Sequence, residues 1–308
     1  MMYWRCFMGV LNREMLKFWQ QRSRLLSALV RPLLWLFVFA AGFRSALGLS
    51  MIPPYETYIL YEEYIVPGLA AMIVLFNSMQ SSLSMVYDRE MGSMKVLLMS
   101  PVPRSFLLCS KLVANTLVSA IQVYLFFCFA LLVDVQLPLM GYIYALPIIA
   151  LLSIFLGSLG LLLANSIKQL ENFAGVMNFV IFPMFFLSSA LYPLWKMQEA
   201  SEWLYQVCAF NPFTSGVELL RFGLYEKLAA KELVIVLVLT LITFTFAVRS
   251  FRPKPAASFS INSAGNKGAG NKETGNKGIG NKGIGNKGIG NKSDGKKQRI
   301  KANQQGRP

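Results

Sequence analysis

The side chains that could act together chemically fall into a few short sets. Asp88, Arg89 and Glu90 follow one another in a basic, proline-punctuated stretch that runs from Tyr87 past Lys95 to Ser100, Pro101 and Arg104. Glu218 and Arg221 stand one helical turn apart, a spacing at which a carboxylate and a guanidinium can pair. Inside apolar stretches, Asn77, Ser81 and Ser84 recur on one helical face, and Asn115, Ser119 and Gln122 on another. These sets can bind, position or pack, but none is a nucleophile with its base. The chain has no His, which excludes imidazole metal ligands, Ser-His nucleophiles and His proton relays. Cys6, Cys109, Cys128 and Cys208 share no metal-ligand spacing and are expected to form no disulfide. With no carboxylate pair inside an apolar stretch, a membrane-embedded enzyme lacks the usual ingredients of an active site.

The elements that must hold these residues are apolar helices. Hydrophobic residues make up 55% of the 308, and the mean hydropathy is +0.47, too apolar for a soluble domain of this length. A helix crossing about 30 Å of hydrocarbon needs roughly 20 residues. Six stretches meet or approach that length, at about 29–47, 64–84, 106–133, 139–164, 173–191 and 233–248. The first is the weakest, because Arg31 stands at its start. Read alone it could be the core of a signal peptide, but about 30 residues precede it, more than such a leader carries.

Direction follows from Lys and Arg near the span ends. Arg5, Arg13, Lys17, Arg22, Arg24 and Arg31 precede the first span. Arg89, Lys95, Arg104 and Lys111 follow the second, and Lys168 follows the fourth. All fall on one side, which places both termini in the cytosol. No span carries a central charge, which counts against proton- or ion-coupled transport. In the fourth span, Ser153, Gly157, Gly160 and Ala164 give close-approach spacings, so that helix reads as packed rather than pore-lining.

Three segments flank the spans. Residues 1–24 are amphipathic: Trp4, Phe7, Met8, Leu11, Met15, Phe18 and Trp19 recur at helical spacing opposite Arg5, Arg13 and Lys17, the pattern of a helix lying in the headgroup plane. It is either an anchor for the first span or also a contact for a partner. The stretch from Tyr87 to Arg104 reads as a charged turn, a short helix over Met91 to Met99, and a stop at Ser100-Pro-Val-Pro. It is expected to be rigid and exposed on the cytosolic side. Residues 192–231, on the outer side, are rich in aromatics and broken at Asn211-Pro212, which suits two short helices dipping back into the outer leaflet. Here Glu218 and Arg221 could form part of an outer gate. Asn77, Ser81, Asn115, Ser119 and Gln122 could line a pathway or simply hold helices together.

The charge is uneven. Residues 251–308 hold 13 of the 30 basic residues and 2 of the 15 acidic ones. This tail repeats Gly-Asn-Lys every five residues from Gly265 to Gly290, has no apolar face and should be disordered. It lacks the spacing of a phosphate-binding loop. The basicity is thus no nucleic-acid signature; attraction to anionic lipid is physically reasonable for it, either as a role of the tail or as an incidental effect of its charge.

Residues 1–250 resemble the type-2 ATP-binding-cassette exporter permeases, the membrane subunits of bacterial exporters of drugs, lipids and glycoconjugates. Tyr87-Asp-Arg-Glu-Met-Gly followed by Leu97-Leu-Met-Ser-Pro-Val-Pro-Arg104 is similar to that family's cytosolic loop. Phe182-Pro-Met-Phe-Phe-Leu-Ser-Ser-Ala-Leu-Tyr-Pro193 resembles its penultimate span, and Asn211-Pro-Phe-Thr with Arg221 resembles its outer hairpin. The resemblance implies an all-α integral membrane fold of six spans, with an N-terminal interface helix, a cytosolic coupling helix and an outer re-entrant hairpin. The expected domain division is 1–24, 25–250 and the tail 251–308, which departs from the family's usual short ending and is not read through it. By the same resemblance, two copies of the chain would work with two copies of a separate phosphate-loop ATPase in a bacterial inner membrane. That ATPase would bind ATP and Mg and meet the permease at Tyr87 to Arg104 and at the N-terminal helix; the chain itself would bind no cofactor. The alternative is an ATP-independent polytopic transporter or channel.

Overall fold

The computed structural model describes residues 2–20, 22–43, 54, 61–92, 102–133, 135, 137–167 and 169–250. Among them are ten helices and no strand: α1 Met2–Gln20, α2 Arg22–Phe43, α3 Tyr61–Glu90, α4 Arg104–Leu132, α5 Leu139–Ser166, α6 Leu170–Phe186, α7 Leu194–Ala200, α8 Glu202–Phe210, α9 Pro212–Leu224 and α10 Ala230–Ser250. Four of them, α3, α4, α5 and α10, are long and apolar enough to cross a membrane; α6 and the segment Ala28–Val38 of α2 are apolar but shorter. Lys95, Ser100, Pro101, the expected coupling helix and the tail lie outside the described residues.

The bundle is built around α3, which packs against α2, α4, α5, α6 and α9. From Tyr64 to Leu75 every residue of α3 is buried, so its hydrophobic run needs no polar face. The outer helices do the reverse of a soluble fold. On α4, Val113, Leu117, Ile121, Leu125 and Phe129 form an exposed stripe at four-residue spacing, and α10 exposes Val234, Leu237, Val238, Leu241 and Ile242. Such surfaces suit hydrocarbon or another apolar partner. The small-residue face of α5 packs as its spacing predicted. A Cβ at Gly160 would lie 2.4 Å from Ser82 Oγ on α3, and one at Gly157 2.7 Å from Leu112 on α4.

Three boundaries differ from the sequence expectation. The charged turn at Tyr87 to Glu90 is the last turn of α3, not a loop, because nothing in those residues breaks a helix. The break comes at Gly92, whose φ of +73° is the left-handed conformation that glycine adopts without a Cβ penalty. The penultimate apolar helix ends at Phe186 rather than continuing to 191, since side chains described below capture its last carbonyls. The outer segment holds three helices instead of two. Ser201, with φ −169° and ψ 125°, separates α7 from α8.

Arg31 does not stand bare at the head of the first apolar stretch. Its guanidinium carbon lies 3.9 Å from the centre of the Phe76 ring, a cation–π contact that binds α2 to α3.

Candidate functional site

At one end of α3, three consecutive residues each hold a different helix. Asp88, only 5% exposed, pairs with Arg13 on α1 and accepts from Lys17 Nζ at 3.2 and 3.3 Å. Arg89 turns the other way, donating to the Ala164 carbonyl and to Asn165 Oδ1, both at 3.1 Å, at the end of α5. Glu90 accepts the Leu170 backbone N–H at 2.8 Å, at the start of α6. Each contact meets a helix-end need: Arg89 satisfies a terminal carbonyl of α5, and Glu90 a terminal N–H of α6, where a carboxylate also suits the dipole. The expectation of an exposed charged turn is therefore corrected. Tyr87 and Met91 are exposed, whereas Asp88 is enclosed by α1.

The same contacts seat α1. Its residue Phe18 is buried, and Tyr3 meets Phe106 of α4 edge-on at 5.4 Å. Trp4 and Trp19 remain 63% and 74% exposed, so the helix is held by one face and offers indoles on the other. Asp88→Ala is expected to loosen this seat by about 2 kcal/mol, the value of a charge-assisted bond, because Arg13 and Lys17 can return only partly to water. Amide exchange across α1 should rise roughly 30-fold. The side chain of Arg104 is not among those described.

Midway along α3, the pathway candidates are bound to one another. Asn77 Nδ2 donates to Ser119 Oγ at 2.7 Å and to Asn115 Oδ1 at 3.3 Å. Asn115 Nδ2 donates to Ser78 Oγ and Ser153 Oγ, both at 3.0 Å. These buried bonds join α3, α4 and α5, the commoner use of polar residues inside a membrane bundle. Ser81 joins Asn77 and Asn115 in the wall of a cavity of about 30 Å³, with Lys17 and Phe18 opposite, space for about one water. Gln122 is buried, and its Oε1 has no partner among the described residues. Asn115→Ala removes three side-chain bonds at roughly 0.6 kcal/mol each. An unfolding titration in detergent should show a loss of about 2 kcal/mol.

At the opposite end of α3, about 36 Å away over 24 residues at 1.5 Å each, lies the cluster around Arg221. Its guanidinium is 2% exposed, pairs with Glu218, donates to the Ser189 carbonyl at 2.8 Å and lies 4.0 Å from the centre of the Tyr64 ring. Tyr64 Oη also donates to the Ser189 carbonyl, at 3.1 Å, and Tyr61 Oη to that of Leu191, at 2.6 Å. Asn211 Nδ2 donates to the Met184 and Leu187 carbonyls at 2.9 and 2.6 Å. The carbonyls freed where α6 ends are thus met by side chains from α3 and α9. Irregular backbone at membrane depth requires such partners.

Each residue of Asn211-Pro-Phe-Thr has a separate task here. Asn211 Oδ1 caps α9 by accepting from the Phe213 N–H at 3.0 Å. Pro212 takes the first helical position, where no N–H is needed. Phe213 is buried against Phe185, and Thr214 Oγ1 donates to the Cys208 carbonyl at 2.7 Å, closing α8. Gly68 of α3 lets this turn approach. A Cβ there would lie 2.2 Å from the Ala190 carbonyl oxygen.

Sequence reasoning grouped Asp88, Arg89 and Glu90, and Glu218 with Arg221, but missed Asn165 as acceptor for Arg89, the Ser189 carbonyl as acceptor for Arg221, and the tasks of Tyr61 and Tyr64. Their signal was weak, since tyrosines at a span end read as an interfacial belt.

Comparison with known proteins gives this arrangement a context. A sequence model described as ABC-2 type transporter matches residues 5–225. A putative transport permease ycf38 from Cyanophora paradoxa is 30% identical over 203 residues, 64% of this chain and 67% of that protein. Its namesake from Porphyra purpurea is 27% identical over 221 residues, 70% and 72% of the two chains. Nodulation protein J of Rhizobium leguminosarum bv. viciae is 33% identical over 79 residues, 26% and 29% of the two chains. With that match spanning both ends of α3, the chain belongs to the ABC-2 type transporter family, as a membrane-embedded transport permease.

Proposed function

We propose that this chain is the permease half of an ATP-binding-cassette exporter, moving an amphiphilic drug, lipid or glycoconjugate out of the cytoplasm. A separate phosphate-loop ATPase, present in two copies with ATP and Mg, drives two copies of this chain in a bacterial inner membrane. Both termini are cytoplasmic, and six spans complete each half. The distribution of Lys and Arg supports this orientation, and the chain carries out no covalent chemistry itself.

The observation that carries the reading is the three-way brace at the end of α3. Asp88, Arg89 and Glu90 tie α1, α5 and α6 to one point, immediately before the basic segment that the family resemblance assigns to the ATPase. A push on that segment would move four helices together as a rigid body. At the other end of α3, Tyr64 would pass the displacement to Arg221, Glu218 and the outer hairpin, which then acts as the gate. Tyr87, Lys95, Ser100, Pro101 and Arg104 provide the docking surface, and Trp4 and Trp19 of α1 add a second contact for the ATPase. In this reading Asn77, Asn115 and Ser119 hold the moving helices in register, while Ser81 and Gln122 line the pathway.

The experiment is transport into vesicles containing this chain with its ATPase, using a fluorescent amphiphile. ATP-dependent accumulation that stops with a hydrolysis-dead ATPase is the expected result. Equal flux without ATP would replace the proposal with an ATP-independent transporter or channel.

A further inference from the structure

Arg31 lies deeper than its place in the sequence suggested. It is the tenth residue of α2 rather than the head of a span, and its guanidinium rests on the ring of Phe76. Phe76 is 12 residues from Tyr64 and 12 from Asp88, so about 18 Å of helix separates it from either polar end of α3. The expectation that no span carries a central charge is corrected: a cation stands at the middle of a membrane-crossing helix. At that depth a charge is costly and marks a pathway or a partner. Arg31 makes no ion pair or hydrogen bond with the described residues, and a ring face satisfies none of its five N–H donors.

The surroundings of Arg31 form a groove between α2 and α6, both of which pack on α3. Toward the Tyr64 end, every residue of α3 from Tyr64 to Leu75 is buried. Toward the Asp88 end, Gln80, Leu83 and Tyr87 share the face of Phe76 at helical spacing, and none of them is buried. The face is thus closed beyond Phe76 and open below it, on the side that the proposed orientation gives to the cytosol. One turn past Arg31, Trp35 meets Phe186 of α6 edge-on at 5.8 Å, which joins the two helices over the groove. Phe182 stacks on Phe186 and remains exposed, an aromatic wall one turn below that junction.

The charge selects the ligand. A guanidinium matches the paired oxygens of a carboxylate, sulfate or phosphate, whereas an ammonium head would be repelled and an uncharged one would leave the cation unneutralised. Arginine keeps its proton, so this is a fixed anion site and no proton relay. We propose that Arg31 binds the oxyanion head of an amphiphile that enters the groove from the Asp88 end, with its alkyl part against Phe182. The proposal rests on the transport reading for the ligand's being cargo and for its direction; binding needs no ATPase, so the two fail separately.

The test places the full chain in phosphatidylcholine nanodiscs, with its five tryptophans fluorinated and the Trp35 ¹⁹F resonance assigned from Trp35→Phe. Decyl sulfate, decyl glucoside and decyltrimethylammonium are added at matched mole fractions in the bilayer, and sodium sulfate alone in a separate titration. A saturable shift with decyl sulfate is expected, roughly tenfold tighter than with either other head, as a charge-assisted contact supplies. Sodium sulfate alone should give none, because it has no alkyl part to hold it. Arg31→Gln should reduce decyl sulfate to the affinity of the glucoside, and Phe182→Ala should weaken both while keeping their ratio. Equal affinity for the three heads, a preference for the ammonium, a sulfate preference undiminished in Arg31→Gln, or saturation by sodium sulfate alone would each overturn the site. So would a Trp35 resonance that ignores every ligand and moves only when paired copies are diluted into single ones, which would give the groove to a second copy of the chain.

Discussion

Arg221→Ala is expected to destabilise the protein by about 3–5 kcal/mol, the cost of removing one member of a buried ion pair. The detergent-solubilised chain should unfold at a midpoint roughly 10 °C below the parent, taking about 2–4 °C per kcal/mol. Two losses combine. Glu218 keeps a partly buried charge without its partner, and the Ser189 carbonyl loses one of its two donors. Lysine should not restore the parent value, because a single ammonium cannot meet Glu218, Ser189 and the face of Tyr64 at once. Glu218→Gln should cost less, since that side chain is 18% exposed and can turn toward water. A midpoint for Arg221→Ala within 1 °C of the parent would remove Arg221 from its place at the centre of the hairpin.

The second large effect is functional. Arg89→Ala combined with Glu90→Ala should reduce ATP-driven transport to below a tenth of the parent while leaving abundance in the membrane unchanged. Arg89 is half-buried and Glu90 exposed, so their joint stability cost is about 1–3 kcal/mol, small beside the apolar burial of the bundle. What disappears is the tie between α3 and the ends of α5 and α6. The ATPase could still push α3, but the push would no longer reach α5 and α6 through their ends at Asn165 and Leu170. Parent-like transport by this variant would show that the brace carries no force.

The contrast between the two ends of α3 also shows what could be read without coordinates. The amphipathic pattern of α1, the Asn211-Pro212 break and the Glu218–Arg221 pair are local features. Each depends on residues within a few positions of one another, and periodicity or capping chemistry exposes them. Ser201 escaped notice because it breaks a helix with neither proline nor glycine at hand. The burial of Asp88 escaped because Arg13 is 75 residues away, and the tasks of Tyr61 and Tyr64 because the carbonyls they meet lie 130 and 125 residues on. The polar faces of α3 and α4 were legible as faces. That they turn toward each other, with Ser153 of α5 as a third member, follows from packing that no single segment records.

Purification of this chain from its own membranes in mild detergent, with mass spectrometry of its partners and an ATPase assay on the eluate, tests the central claim most directly. A phosphate-loop ATPase in near-stoichiometric amount, with hydrolysis that is lost when Tyr87 to Arg104 is altered, is the predicted result. A chain recovered intact and paired with itself, but with no ATPase and no hydrolysis, would contradict it.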